Sequence, residues 1–259
     1  MANIVYENFV LENKLEDLLT TSVDMNNYMT LDSSLSETAG MKKVINTYTA
    51  TGDVEDLDMG EGNTGDIAVG FTPVEYTVTT TQGRFPYFDE QAMKDPNVIE
   101  VGLRGISAKM SNDLTEKAFV EFGKATLSQT YTTSIDFDTV VDAVAKLNLE
   151  DETGLFMLIT PAMVAAFRKA LKDNLSYSES FVRTGYIGSV NGVPVIVSKA
   201  VPADTAFIAD KSAVTCFIKK GSEIEQERDA NIRKTTVYGR KVALVALTDA
   251  TKVVKIIKA

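Results

Sequence analysis

Six carboxylates, Asp53, Glu55, Asp56, Asp58, Glu61 and Asp66, fall within residues 52–66, GDVEDLDMGEGNTGD, beside four glycines and no cation. Oxygen ligands at this density suit a hard cation such as calcium, and paired carboxylates also serve as general acids and bases. An EF-hand loop needs acidic or amide side chains at its first, third and fifth positions and glycine at the sixth. A start at Asp56 puts Gly60 at the fifth position, and a start at Asp53 puts Leu57 there, so neither fits. A calcium site of another kind stays open as a reading, as does a carboxylate enzyme. A third reading is an arm that meets another molecule.

The rest of the composition narrows the chemistry. The chain of 259 residues has no histidine, which removes the commonest general base near neutral pH and the commonest zinc ligand. Serine or cysteine triads built on histidine are excluded. The single cysteine, Cys216, lies in the apolar run AVTCFIKK and reads as a small core residue. No phosphate-cradling glycine loop, dinucleotide fingerprint or nucleophile elbow occurs. The expectation is a protein without catalytic, cofactor-binding or metal-ligating residues.

Charge is unevenly distributed within the net of −10. Residues 1–100 hold 18 Asp/Glu against 5 Lys/Arg, whereas residues 219–258 hold 10 Lys/Arg against 5 Asp/Glu. Two readings stand side by side: an acidic front that meets a basic back on another copy, or two solvated faces. On the first, Asp53, Glu55, Asp56, Asp58, Glu61 and Asp66 face Lys219, Lys220, Arg233, Lys234, Arg240 and Lys241, and Arg84 is a further contact. The acidic balance argues against tight nucleic-acid binding. No run approaches the roughly 18 apolar residues of a membrane span. The N-terminal sequence lacks the basic start and apolar core of a signal peptide, which points to a soluble cytoplasmic product.

The elements that position these groups follow from periodicity. Leu11, Leu15, Leu18 and Leu19 give a short amphipathic helix in an otherwise polar arm that adds little to the core. KKVINTYTAT and FTPVEYTVTTTQGRFPYF, rich in Val, Thr and Tyr, read as the two strands of a long ribbon with the acidic stretch at its tip. Residues 95–127 read as one helix, with Asp95 as N-cap and Pro96 at the first position. Its apolar stripe is Ile99, Leu103, Ile106, Met110, Leu114, Ala118, Phe122 and Ala125. Glu100 with Arg104, and Asp113 with Lys117, add opposite charges four apart. A helix, a buried strand LFMLIT, a second helix capped by Thr160, a hairpin turn at SVNG and several long C-terminal strands complete an α+β chain. Met25, Met29, Met41, Met59 and Met93 fit either an adaptable contact surface or ordinary packing.

This order of parts resembles the tailed-bacteriophage major capsid proteins of the Hong Kong 97 type. GYIGSVNGVPVIVSKAVP at 185–202 is similar to the family's Gly-x-x-Gly-x-x-x-Gly-x-Pro-Val turn and strand. ERDANIRKTTVYGRKVALVAL at 227–247 looks like its closing strands. The resemblance implies an α+β Hong Kong 97-type capsid fold. Its parts are an N-terminal arm (1–40), an extended two-stranded loop (41–90), a peripheral domain with a spine helix (91–130 and 213–247) and an axial domain (131–212 and 248–259). It further implies self-assembly as pentamers and hexamers into an icosahedral shell around double-stranded DNA, bound without sequence specificity. No enzymatic step, cofactor or membrane is involved. Portal and decoration proteins are possible companions. Only about forty residues precede the ribbon, so the expectation is a separate scaffolding protein or self-assembly, with no cleaved scaffolding segment. The prototype cross-links a lysine of the extended loop to a neighbour's asparagine. Here no lysine lies between Lys43 and Lys94, so no such bond is expected. A shell of the same fold that encloses enzymes, an encapsulin-like compartment, is the alternative.

Overall fold

The computed structural model describes residues 25–95, 97–172 and 188–259. Twelve strands and four α-helices form two sheets and a separate ribbon among these residues. The leucine-rich helix expected around 11–19, Pro96 and residues 185–187 of the glycine motif lie outside them.

Strands β2 (Lys42–Thr51) and β3 (Ala68–Thr77) pair only with each other, antiparallel, and make the ribbon. Strand β4 (Thr79–Phe88) leaves the ribbon and joins a four-stranded sheet. There it lies at the edge, against β11 (Lys234–Leu247), which pairs with β10 (Val214–Asp229) and then β1 (Thr30–Asp32). The expected single strand over 71–88 is therefore corrected: it breaks at Val78. That residue is buried among Leu35, Phe217, Leu244 and Ala246, and its N–H bonds Met41 O at 2.8 Å. The Thr-rich run carries no turn former at this point, so the break is set by tertiary burial.

Helix α1 (Asp89–Lys94) follows β4, then α2 (Val98–Gly123). The expected helix over 95–127 is two elements. Asp95 ends α1, with its N–H on Gln91 O, and its carboxylate accepts the Asn97 N–H at 3.0 Å to turn the chain into α2. At the other end Gly123 closes α2, and Leu127 already belongs to β5 (Leu127–Tyr131). Both expected surface ion pairs form: Lys117 meets Asp113 at 2.6 Å and Arg104 meets Glu100 at 3.4 Å.

The second sheet runs β5-β12-β9-β6-β8-β7, with β6 (Leu155–Ile159), β7 (Ser189–Val190), β8 (Val193–Val197), β9 (Thr205–Asp210) and β12 (Val253–Lys258). Every residue of β6 is buried, as its apolar run requires between two neighbours. Asn191 and Gly192, both at positive φ, make the two-residue turn between β7 and β8. Helix α3 (Phe137–Leu147) is capped by Asp136, which accepts the Thr139 N–H at 2.8 Å. Helix α4 (Pro161–Lys172) is capped by Thr160, whose hydroxyl accepts the Met163 N–H at 3.2 Å.

Helix α2 joins the two sheets. Its first half buries Leu103, Ile106 and Met110 against Ile224 and Val237 of the four-stranded sheet. Its second half sends Phe119 and Phe122 among Phe156 and Phe207 of the other. Met25 and Met29 pack fully into this second cluster, so the arm adds more to the core than its polar composition implies.

Candidate intersubunit surface

Pleating divides the ribbon into two unlike faces. Register places Val44, Asn46, Tyr48 and Ala50 of β2 opposite Glu75, Pro73, Phe71 and Val69 of β3 on one side. Tyr48 and Phe71 are directly opposite, edge to face with ring centroids 5.2 Å apart, yet 65% and 63% exposed. Val44 and Val69 on the same face are also more than half exposed, so the apolar surface extends on both sides of the pair. The other side carries Thr47, Thr49, Thr51 and Thr72 and turns apolar only near the body.

There the ribbon is fixed to its own chain. Ile45 and Tyr76 pack on the Leu35, Phe217 and Leu244 cluster, and the Lys43 ammonium lies 4.9 Å from the Phe217 ring centroid. Glu121 of α2 is buried and accepts Lys124 Nζ at 2.6 Å and the Leu247 N–H at 3.3 Å. The same Lys124 ammonium sits 5.0 Å from the Tyr76 ring centroid. Burial and, second, the Glu121 charge push the Tyr76 hydroxyl above its ordinary pKa. This arrangement anchors the ribbon base to α2 and the end of β11.

At the tip the six carboxylates do not act alike. Glu55 turns inward and accepts the Thr64 N–H at 2.8 Å and the Thr64 hydroxyl at 2.7 Å, which holds its carboxyl below the usual carboxylate range. Gly52, at φ +135°, is required where the loop closes, because an added Cβ would lie 2.8 Å from Asp66 O. Asp53, Asp56, Asp58, Glu61 and Asp66 make no ion pair with any described residue. Among the described residues no three carboxylate, thiol or imidazole groups come together to hold a metal ion.

The candidate cations divide as well. Lys219 Nζ donates to Thr38 O at 2.8 Å and Gly40 O at 2.5 Å, tying down the chain that enters the ribbon. Lys220 pairs with Glu223 at 2.8 Å, Arg233 with Glu90 at 2.6 Å, and Arg240 with Glu223 at 2.8 Å and Glu225 at 2.6 Å. Hydrogen bonds from Arg240 and then Lys220 hold the Glu223 carboxyl at about 2. Arg84, Lys234 and Lys241 have no ion pair with a described residue. Glu90, Glu223 and Glu225 were missing from the sequence-based set. The signal for the last two lay in folding 214–247 into one long hairpin, which sets Glu223 opposite Arg240 and Glu225 opposite Tyr238.

Comparison with known proteins draws on this whole architecture. A family profile described as "Phage capsid protein" matches residues 71–256, from the second ribbon strand to the last strand of the second sheet. The chain belongs to this phage capsid protein family. It is 26% identical over 170 residues to the major capsid protein of Staphylococcus phage phiMR11, a match over 63% of this chain and 60% of that protein. The phage capsid fold is equally evident in solved structures. The capsid of a native GTA particle superposes with a TM-score of 0.72 at 11% identity, over 91% of this chain and 90% of the other. The virus-like particle from Pyrococcus furiosus gives 0.67 at 9% identity, over 96% and 99%.

Proposed function

We propose that many copies of this chain assemble as pentamers and hexamers into an icosahedral shell around packaged double-stranded DNA, as the virion capsid of a phage assembled in the host cytoplasm. The observation that carries the reading is the ribbon: an exposed aromatic face on two strands whose base is tied to the body by the Tyr76, Lys124 and Glu121 contacts. An isolated two-stranded ribbon is marginal in water, so this one finds its support on a neighbouring copy. On this reading the four-stranded sheet with α2 forms the peripheral domain, and the second sheet forms the axial domain around the five-fold and six-fold centres. A separate scaffolding protein, a portal and decoration proteins are its companions, and the role is structural with no catalytic step.

Electron microscopy of the purified chain, alone and with scaffold, beside a Tyr48→Ser/Phe71→Ser variant tests this. The expected result is shells or hexamers from the unmodified chain and free folded subunits from the variant. A persistent monomer from the unmodified chain, or normal shells from the variant, would overturn it. A compartment that encloses enzymes is a second reading, because a shell of this fold does not by its architecture fix what it encloses. Nuclease-protected DNA inside purified particles decides for the capsid.

A further inference from the structure

One lysine of the four-stranded sheet faces inward. Alternation along β11 turns Val237, Gly239, Lys241, Ala243 and Val245 toward α2, where Val237 and Val245 are buried in the two clusters that α2 shares with the sheets. The other side of the strand carries Leu244 and Ala246, in a separate cluster with Leu35 and Phe217. An ammonium on the helix-covered side is costly unless a counter-charge or acceptors meet it. Lys241 makes no hydrogen bond or ion pair with any described residue.

Its surroundings hold more donors than acceptors. Lys241 lines a cleft of about 40 Å³ between β11, β4 and α2. Thr81, directly across on β4, donates to Asp113 at 2.8 Å and accepts Lys117 Nζ at 2.8 Å, while Lys117 meets Asp113 at 2.6 Å. That triangle occupies the one carboxylate that lines the cleft, and it leaves two ammoniums against a single negative charge. On the other flank β10 bulges. Lys220 pairs with Val242 and Glu223 with Arg240, so Gly221 and Ser222 together oppose Lys241. The Ser222 hydroxyl is buried and has no hydrogen-bond partner among the described residues. The same holds for Ser107, 1% exposed and one helical turn before Ser111 of the cleft wall.

Two buried hydroxyls and an ammonium thus surround one confined space without an acceptor assigned to them. A water needs about 10–15 Å³ and would satisfy a hydroxyl, but it brings no charge and leaves the excess ammonium uncompensated. An anion supplies both the acceptor and the missing negative charge.

We propose that this cleft binds one small inorganic anion, a halide or a phosphate, on the Lys241 ammonium, with the Ser222 and Ser107 hydroxyls as further donors. The anion ties the bulge of β10 and strand β11 to α2, so Lys241 serves its own subunit and not a neighbour. The site is complete within one chain and does not depend on assembly.

The test is thermal unfolding of the full chain in sodium gluconate, chloride, bromide and phosphate at one ionic strength. Gluconate is too bulky for the cleft and sets the baseline. A fitting anion raises the melting temperature saturably, by about 2–4 °C at several times its Kd, and the order of potency separates a halide from an oxyanion. Lys241→Met, which keeps an apolar stem and removes the charge, loses this rise. Lys109→Met, at an exposed position of α2, keeps it. Equal rises in Lys241→Met and the unmodified chain, or no saturable rise in the unmodified chain, overturn the proposal. If Lys241→Met does not fold, anomalous scattering from bromide-soaked crystals of the unmodified chain decides. A bromide beside Lys241 Nζ supports the site, and bromide found only elsewhere overturns it.

Discussion

Two glycines on α2 three residues apart are expected to respond in opposite directions to the same substitution. An alanine Cβ at Gly102 would lie 2.6 Å from Cζ of Phe85, with two further ring carbons closer still. Ordinary carbon contacts lie at about 3.5–4.0 Å, so the ring would have to move by roughly 1 Å. That ring is confined by the stacked Tyr87, 5.8 Å away between centroids, and by the cluster of Leu103, Ile106 and Val237. Overpacking of this kind costs about 1–3 kcal/mol, against which alanine returns about 0.5–1 kcal/mol of helix propensity. Gly102→Ala is therefore expected to destabilise by about 1 kcal/mol net. Gly105 has nothing within 4 Å of its would-be Cβ, so Gly105→Ala keeps the propensity gain and stabilises by about 0.5–1 kcal/mol. Urea unfolding of dissociated subunits, followed by far-ultraviolet circular dichroism because the chain has no tryptophan, measures both. Equal shifts of the same sign would refute the packing argument. A Gly102→Ala/Phe85→Leu double variant less destabilised than the sum of its parts would locate the clash.

Acidification supplies a second prediction. Glu223 is held at about 2 against an ordinary value of 4.5, so its ion pairs contribute fully above the ordinary value and are lost as pH falls through about 2. Melting temperatures should fall over that window, and by less in Glu223→Gln; equal slopes would count against the network. At the ribbon base, Glu121→Ala should destabilise by about 1–3 kcal/mol, because Lys124 and the Leu247 N–H lose a buried acceptor. It should also speed proteolysis within 42–77, and unchanged cleavage would show that the base is held by packing alone. Boiled shells should run as one band near 28.2 kDa on a denaturing gel, since the ribbon between Lys43 and Lys94 has no lysine. A ladder of multiples would contradict this.

Much of this molecule could be read from its residues, because the signals were local. Thr160 before Pro161, the Asn191–Gly192 turn, the all-apolar β6 and strand β2 each followed from neighbours in sequence. The errors arose where distant parts decide, or where one side chain could serve two local roles. The end of the ribbon at Val78 depends on Phe217 and Leu244, far along the chain. The split of the long helix depends on Asp95 serving as a turn acceptor for Asn97 where it was expected to cap the helix. Charge suffered most, since Arg233 and Arg240 read as free until strand pairing brought Glu90, Glu223 and Glu225 to them. The reverse holds for Arg84 and Lys234, whose availability is a property of the folded arrangement. Gly102 and Gly105 looked alike in the sequence, and only the position of Phe85 separates them.

Helix α2 has a mechanical consequence. With 26 residues it is a rod about 39 Å long, clamped near one end by Leu103 and Ile106 and near the other by Phe119 and Phe122 in a different core. Bending it would stretch a ladder of backbone hydrogen bonds, whereas the ribbon base turns on a few side-chain contacts. A load on one sheet is thus passed along the rod to the other sheet. The ribbon, joined to the body only at its base, stands outside this path.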